Sequence, residues 1–463
     1  VCKFVVNTFI MCSLVQKYNI PGPRYTSYPT VPYWDITNFS GKKWQKTLQK
    51  SFSESNAIEG ISLYIHLPFC ESMCTFCGCH KRITKRHEVE VPYLKTVLKE
   101  WQLYCNLFNE KPIIKELHLG GGTPTFFSPE NLKYLINGIF KSADKAADYE
   151  FSFEGHPNNT TKEHLQALYE VGFRRVSFGV QDYNEKVQKA IHRVQPFENV
   201  KKVTEAAREI GYTSIGHDII FGLPHQTIQD VEHTILKTKS LMPDRLAFYS
   251  YAHVPWLKGN GQRGYSEDDL PSASAKRKQY EKGKELLAEV GYHEIGMDHF
   301  ALKTDSLYQA MEKGSLHRNF MGYTASKTQL MIGLGVSSIS DSWYSFAQNV
   351  KSIEEYEHLV NSDIIPIYRG HILTEEDEII RKHILNLMCH FETSFDKKES
   401  HFPDLEITLG KLEEIKNDQL IEITNNKIIV TEKGKPFIRN ICMAFDMHLH
   451  KKAPETRLFS MTI

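Results

Sequence analysis

The chain is predicted to be an α/β protein built on a partial, TIM-like (β/α)6 barrel, with an N-terminal arm and a mostly helical C-terminal domain. Three observations predict this. After about residue 60, short apolar or β-branched stretches alternate six times with amphipathic stretches of helical length. Polar, chemistry-bearing residues gather just past the ends of those strands, where parallel barrels place their chemistry. Beyond about residue 345 the alternation stops and charged helical patterns replace it.

Residues 1–54 are expected to form an N-terminal extension and arm. Val1–Ile10 is apolar with one lysine, but no small-residue cleavage site follows, so it reads as an upstream extension with Met11 as the expected start. Pro21-Gly-Pro-Arg-Tyr-Thr-Ser-Tyr-Pro29 carries three prolines, which oppose a helix and predict an ordered arm. Residues 55–345 hold the barrel and the segment after it. Strands are predicted at 61–67, 115–119, 149–154, 175–180, 214–221 and 245–251. Pro92, Pro129 and Thr161 stand at expected helix starts, and Gly172 and Gly211 at expected helix ends. Six β-α units in series imply a parallel sheet with right-handed crossovers, two units short of a closed barrel. Residues 346–463 form the predicted C-terminal domain, with helices at 353–361, 374–390 and 409–419. A hairpin over 420–431 turned by Asn425-Asn426 and a final helix over 433–450 complete it.

Lys plus Arg and Asp plus Glu each total 56, so the formal net charge is zero, and nucleic acid is not the expected partner. No apolar run is long enough to span a bilayer. The nine cysteines are too unevenly spread for a secreted disulfide framework, and a reducing cytoplasm is the expected location.

Four of those cysteines, Cys70, Cys74, Cys77 and Cys79, follow the first strand as C-x3-C-x2-C-x-C. Thiolates this crowded repel one another unless a metal or cluster shares their charge. The first three can reach three irons of a [4Fe–4S] cluster and leave the fourth iron open. A structural zinc site fits less well, because zinc usually draws paired knuckles from two separate segments. Past the other strand ends lie Gly120-Gly-Gly-Thr123, Glu154, Gln181-Asp182, Asp218 and Ala252-His253. The glycines suit close backbone approach to a polar ligand, with N–H and C=O groups free to line the site. Glu154 suits acceptance of hydrogen bonds from a ribose or an amine, and Arg193 suits a ligand carboxylate. Asp218, in an apolar run, must have a partner. The basic run His80–His87 reads as a solvated face that would also suit an acidic electron donor, and His448 and His450 read as structural.

The cysteine spacing after a strand resembles that of the radical SAM enzymes. Longer stretches resemble one family among them, the oxygen-independent coproporphyrinogen III oxidases of haem biosynthesis. They include Gly22-Pro-Arg-Tyr-Thr-Ser-Tyr-Pro-Thr30, Cys74-Thr-Phe-Cys-Gly-Cys79, Gly120-Gly-Gly-Thr-Pro-Thr125 and Gly179-Val-Gln-Asp182. Others are Gly222-Leu-Pro224, Gly296-Met-Asp-His-Phe-Ala301, His317-Arg-Asn-Phe320 and Arg439-Asn-Ile-Cys-Met443. The resemblance implies that Cys70, Cys74 and Cys77 ligate a [4Fe–4S] cluster whose open iron takes S-adenosylmethionine. It implies that a 5′-deoxyadenosyl radical removes a hydrogen from a propionate side chain. Coproporphyrinogen III would thereby lose two CO2 and become protoporphyrinogen IX. Tyr64, Phe76, Gly121, Gly122, Thr123, Glu154, Gln181, Arg193, Asp218, Ala252 and Ile339 match positions that contact S-adenosylmethionine, of which two molecules are expected. Cys79 matches a cysteine that is not a ligand. His156 and His80 depart from the family's commoner residues. The substrate's carboxylates call for arginines, and Arg24 and Arg318 are the candidates. A small reductant protein such as a flavodoxin is the expected partner, and a monomer the expected state. Haem chaperones related to this family lack the fourth cysteine and the Pro-Arg-Tyr-Thr-Ser-Tyr-Pro arm, both present here.

Overall fold

Twelve strands form one sheet that organises the chain. The structure, a computed structural model, describes residues 13–256, 261–262, 264–424, 426–452, 454, 456 and 458–462. The readings of Val1–Ile10, Met11 and Asn425 therefore lie outside the described residues. Along the chain the sheet strands are β1 (Ile61–Leu67), β2 (Ile113–Gly121), β3 (Asp144–Gly155), β4 (Arg175–Gln181), β5 (Ser214–Phe221) and β6 (Arg245–Ser250). They continue as β7 (His293–Gly296), β8 (His299–Ala301), β9 (Met331–Leu334), β10 (Ile339–Asp341), β11 (Ser345–Asn349) and β12 (Ile367–Ile372).

Spatial order across the sheet is β12-β11-β10-β9-β1-β2-β3-β4-β5-β6-β8-β7. The six barrel strands are neighbours in chain order and pair in parallel throughout. β9 adds a seventh parallel strand beside β1, and antiparallel strands extend both edges. The sheet thus has two ends, the open partial barrel that six units imply. All six barrel strands fall where the alternation places them; β3 begins earlier than expected, at Asp144.

Helices cover the outer face for reasons readable in their residues. Pro129–Ile139 starts with proline in its first turn and a Ser128 cap that accepts from the Asn131 N–H, and it buries Leu132, Leu135, Ile136 and Ile139. Lys162–Glu170 starts at Thr161, whose side chain and that of His164 satisfy each other's backbone N–H groups. Phe197–Ile210 ends at Gly211, which takes the left-handed conformation. β1 has only Tyr64 less than fully buried, because helices cover one side and the barrel interior occupies the other. The largest core cluster fills the space between these strands and their helices.

Two expectations need correction. β11 and β12 carry the main sheet past residue 345, so the expected boundary there runs through the sheet. The helix expected over 433–450 is broken into a short turn at Lys435–Phe437 and two short helices, Ile438–Met443 and Met447–Lys451. Asp446 makes the break: its carboxylate accepts from the Leu449 N–H and from the Tyr25 hydroxyl, tying this turn to the arm. The arm itself is not helical over residues 21–30, and Leu14, Tyr18, Tyr25 and Tyr28 pack with Ile380, Phe437 and Ile441 in a second core.

Candidate active site

The four-cysteine turn lies directly after β1 and opens on one cavity. Cys70, Cys74, Phe76, Cys77 and Cys79 line it together with Gly121, Gly122 and Thr123 after β2. Glu154 from β3, Gln181 from β4, Arg193, and Asp218 from β5 complete the predicted set that it brings together. Five of the six strand ends therefore share the cavity. The sixth does not line it, but Gln262 Nε2 donates both to the Phe76 carbonyl, at 3.1 Å, and to the Ala252 carbonyl, at 3.0 Å, which places Ala252 beside the cysteine turn.

The turn is held at several points. His66 Nε2 donates to the His80 carbonyl at 2.9 Å, and its Nδ1 accepts from the Tyr64 hydroxyl at 3.0 Å. Lys81 Nζ donates to the carbonyls of Cys77 and Cys79, each at 3.3 Å. The Thr75 N–H donates to the Ile191 carbonyl. Sequence reasoning misses His66, Lys81 and Gln262 as supports. Period-two alternation carries a signal for His66, since Ser62, Tyr64 and His66 occupy one face of a strand whose other face, Ile61, Leu63, Ile65 and Leu67, is apolar.

The glycine run works differently from the expectation. Its backbone N–H groups are not free: Gly122 donates to the Leu67 carbonyl at 2.8 Å and Thr123 to the Phe69 carbonyl at 2.9 Å. Gly121 has φ near +109°, and a Cβ there would stand 2.6 Å from the His66 ring. These glycines let the cysteine turn and the second strand end pack against each other, leaving the Thr123 hydroxyl 3.3 Å from Cys70 Sγ.

Charge is divided across the cavity. Arg193 extends one amino group towards Cys74 Sγ at 3.7 Å and another to the Gly179 carbonyl at 2.7 Å, while its Nε is buried without a partner. Opposite stand two carboxylates. Glu154 lies 3.6 Å from His118 Nε2. Asp218 has the partner its setting demands, the Ser177 hydroxyl at 2.8 Å, and burial still pushes its pKa up to about 7. Among the thiols, the hydrogen bond from Cys79 pulls Cys77 down to about 6, and burial pushes Cys70 up to about 11. Soft sulfur donors on one turn, backed by Lys81 and Arg193, fit an iron–sulfur cluster: the metal replaces thiol protons, and the cations offset the remaining negative charge.

Five predicted residues stand outside the cavity wall: Tyr64 and Ala252, which adjoin the cysteine turn, and Ile339, Arg24 and Arg318. Ile339 packs near Trp34 and Phe346, and its backbone lies against Gly333, which pairs with Tyr64. Arg24 and Arg318 lie together further across the barrel mouth, where Arg318 donates to the Arg24 carbonyl at 3.4 Å. His371, Asp377 and His448 form another cluster of metal-ligating residue types, distant in sequence. There, His371 Nδ1 accepts from the Asp35 N–H, which leaves its Nε2 as a donor to Asp377 and closes the ring to a metal.

A parallel open barrel whose first strand feeds a four-cysteine turn defines a class, and residues 64–237 match the model of the radical SAM superfamily. The chain is 38% identical over 445 residues to an oxygen-independent coproporphyrinogen III oxidase of Helicobacter pylori, covering 94% of this chain and 96% of that protein. It is 37% identical to the protein of the same description from Pseudomonas aeruginosa, over 94% and 95% of the two chains. The solved coproporphyrinogen III oxidase of Escherichia coli, described as a radical SAM enzyme, superimposes with a TM-score of 0.86 at 35% identity, covering 92% of this chain and 98% of that one. The chain belongs to the oxygen-independent coproporphyrinogen III oxidase family.

Proposed function

We propose that this enzyme converts coproporphyrinogen III to protoporphyrinogen IX without oxygen, in haem biosynthesis. Two propionate side chains become vinyl groups, each losing one hydrogen atom, one CO2 and one electron, the last passed to a one-electron acceptor. The observation that carries the reading is the four-cysteine turn opening onto a cavity walled by five barrel strand ends, in a chain alignable over nearly its whole length with this family.

Cys70, Cys74 and Cys77 would hold a [4Fe–4S] cluster, and a bound cluster with S-adenosylmethionine supplies one-electron reduction and hydrogen-atom abstraction. The chain's own residues bind and orient. Arg193, with its buried and unpartnered Nε, suits the methionine carboxylate. Glu154 and Asp218 suit the amine and ribose hydroxyls, and Gln181 and Thr123 add neutral polar contacts. Phe76, Gly121 and Gly122 shape the wall, and Tyr64, Ala252 and Ile339 flank it. A second S-adenosylmethionine towards Ala252 and Ile339 suits two decarboxylations. Cys79 lines the same cavity and, by the family resemblance, is not one of the cluster ligands. The exposed residues Arg82, Lys85 and Arg86 beside the turn suit an acidic reductant protein such as a flavodoxin, docking on a monomeric, cytoplasmic enzyme. Among the described residues, no helix is long and apolar enough to cross a membrane.

Anaerobic turnover of coproporphyrinogen III with S-adenosylmethionine and a reductant tests the proposal. Release of two CO2 per porphyrinogen by protein containing iron and acid-labile sulfide is expected. Purified protein holding zinc without sulfide, or methyl transfer without CO2, would defeat it.

A further inference from the structure

Four arginines among the described residues are buried: Arg245, Arg318, Arg381 and Arg439. Three have their charge or their donors answered within the chain. Arg245 meets Asp305 at 2.8 Å, Arg381 pairs with Asp341, and Arg439 donates to the carbonyls of Gly22, Pro23 and Met461. Arg318 differs. It is 5% exposed; among the described residues its Nε and one terminal nitrogen are buried without a hydrogen-bond partner, and its hydrogen bond to the Arg24 carbonyl is long at 3.4 Å. Its other contact is the face of Tyr323, 4.5 Å away. Guanidinium does not shed its proton, so a buried charge without an anionic partner is costly until an anion arrives.

The site faces the barrel interior. Asp218 pairs with Ala247 and Ile220 with Tyr249 in the parallel register, so Tyr249 shares the interior face of Asp218. His299, opposite Ala247 on β8, shares it too. His299 Nδ1 donates to the Met297 carbonyl, and its Nε2 lies 3.5 Å from the Tyr249 hydroxyl. The His299 ring meets the Tyr323 ring edge-on at 5.1 Å, which brings the stack carrying Arg318 to the same layer. Arg24, by contrast, is spent: it donates to Asp298 at 3.0 Å and to the Ser250 carbonyl at 2.9 Å, and it ties the arm to the end of β6.

We infer that Arg318 is the carboxylate receptor of the barrel interior, and that Arg24 positions it through its backbone without binding ligand. The inference rests on the proposed function for its source of carboxylate: a propionate of the porphyrinogen, or the methionine carboxylate of an S-adenosylmethionine molecule. Both offer planar carboxylate oxygens as acceptors for the N–H groups that Arg318 leaves unpaired.

The test uses the full chain, reconstituted anaerobically, with R318Q and R318K beside wild type. Fluorescence titration with coproporphyrin III, and with its tetramethyl ester as the uncharged probe, measures one source; equilibrium dialysis with S-adenosylmethionine measures the other. A ten- to hundredfold loss of coproporphyrin III affinity in R318Q, with ester and S-adenosylmethionine binding unchanged and partial rescue in R318K, assigns the propionate. The same loss confined to S-adenosylmethionine assigns the methionine carboxylate. Melting of the ligand-free proteins adds a second criterion: R318Q should melt no lower than wild type, because it removes an unanswered charge. Unchanged affinity for both carboxylates, or a lower melting temperature with unchanged affinities, overturns the inference. Wild type that binds neither coproporphyrin III nor its ester defeats the proposed function instead.

Discussion

Gly121 and Gly41 look alike in the sequence and are opposites in the fold. Gly121 holds a positive φ, and a Cβ would press into His66, the residue that anchors the cysteine turn through the His80 carbonyl. Gly121→Ala should cost about 2–3 kcal/mol in denaturant-measured stability and lower the iron retained after reconstitution, because the His66 ring must move. Gly41 begins the helix Gly41–Glu59, and nothing lies within 4 Å of the place a methyl would take, so Gly41→Ala should stabilise the protein by about 0.5–1 kcal/mol. Both signs can be checked in one set of urea titrations. Glycine after a strand was legible as a turn. Its being needed by a histidine 55 positions earlier was not, because that contact exists only once β1 and β2 pair.

At the scale of elements, Glu100 joins the helix Glu90–Cys105 to the segments beyond the sixth barrel strand. Its carboxyl is fully buried and accepts from the Gly335 N–H, the Asn349 amide and the Tyr356 hydroxyl. Burial pushes its pKa from 4.5 up to about 7, against the opposing hydrogen bonds. The folded value lies above the unfolded one, so the native state keeps a proton that the unfolded chain gives up between about pH 4.5 and 7. Stability contributed there is full below pH 4.5, falls across that window and is flat above it, by about 3 kcal/mol in total. Glu100→Gln should remove that slope, seen as a smaller stability difference between pH 5 and pH 8 in chemical denaturation. Helix caps, strand positions and the barrel's parallel order were all open to reading, since they depend on neighbours within a few residues. The broken C-terminal helix was not, because Asp446 breaks it in concert with Tyr25, some 420 positions away in the chain.

Across the whole molecule, the arm is locked to the C-terminal region by polar contacts laid over an apolar core. Arg439 spans three carbonyls from residues 22, 23 and 461, a task for a planar fork and not for an ammonium. Arg439→Lys should therefore cost about 2–4 kcal/mol and make the arm cleavable in limited proteolysis before the barrel is. Nearby, Asp377 accepts from Thr374, His371 and His448. Burial alone would raise the Asp377 pKa and lower that of His448, but hydrogen bonds reverse both: those from His371 and His448 hold the carboxyl well below its ordinary value, and the bond to Asp377 holds the His448 imidazole above 6.5. The His448 contribution is complete below pH 6.5 and lost as pH rises through its raised value. Arm cleavage in wild type should accordingly quicken above neutrality, and His448→Gln should flatten that dependence.

What the sequence determined by itself was whatever is encoded locally. The cysteine spacing named the cofactor chemistry, the six-fold alternation named the barrel, and the strand-end positions assembled most of one wall. Only the tertiary structure decided between equals. Two arginines were equally suited to a carboxylate, and the fold answered Arg24 with Asp298 while burying Arg318 with donors unanswered. Periodicity reports which face a residue occupies, but a buried charge is settled by the groups that converge on it from distant elements, and that convergence is set by packing.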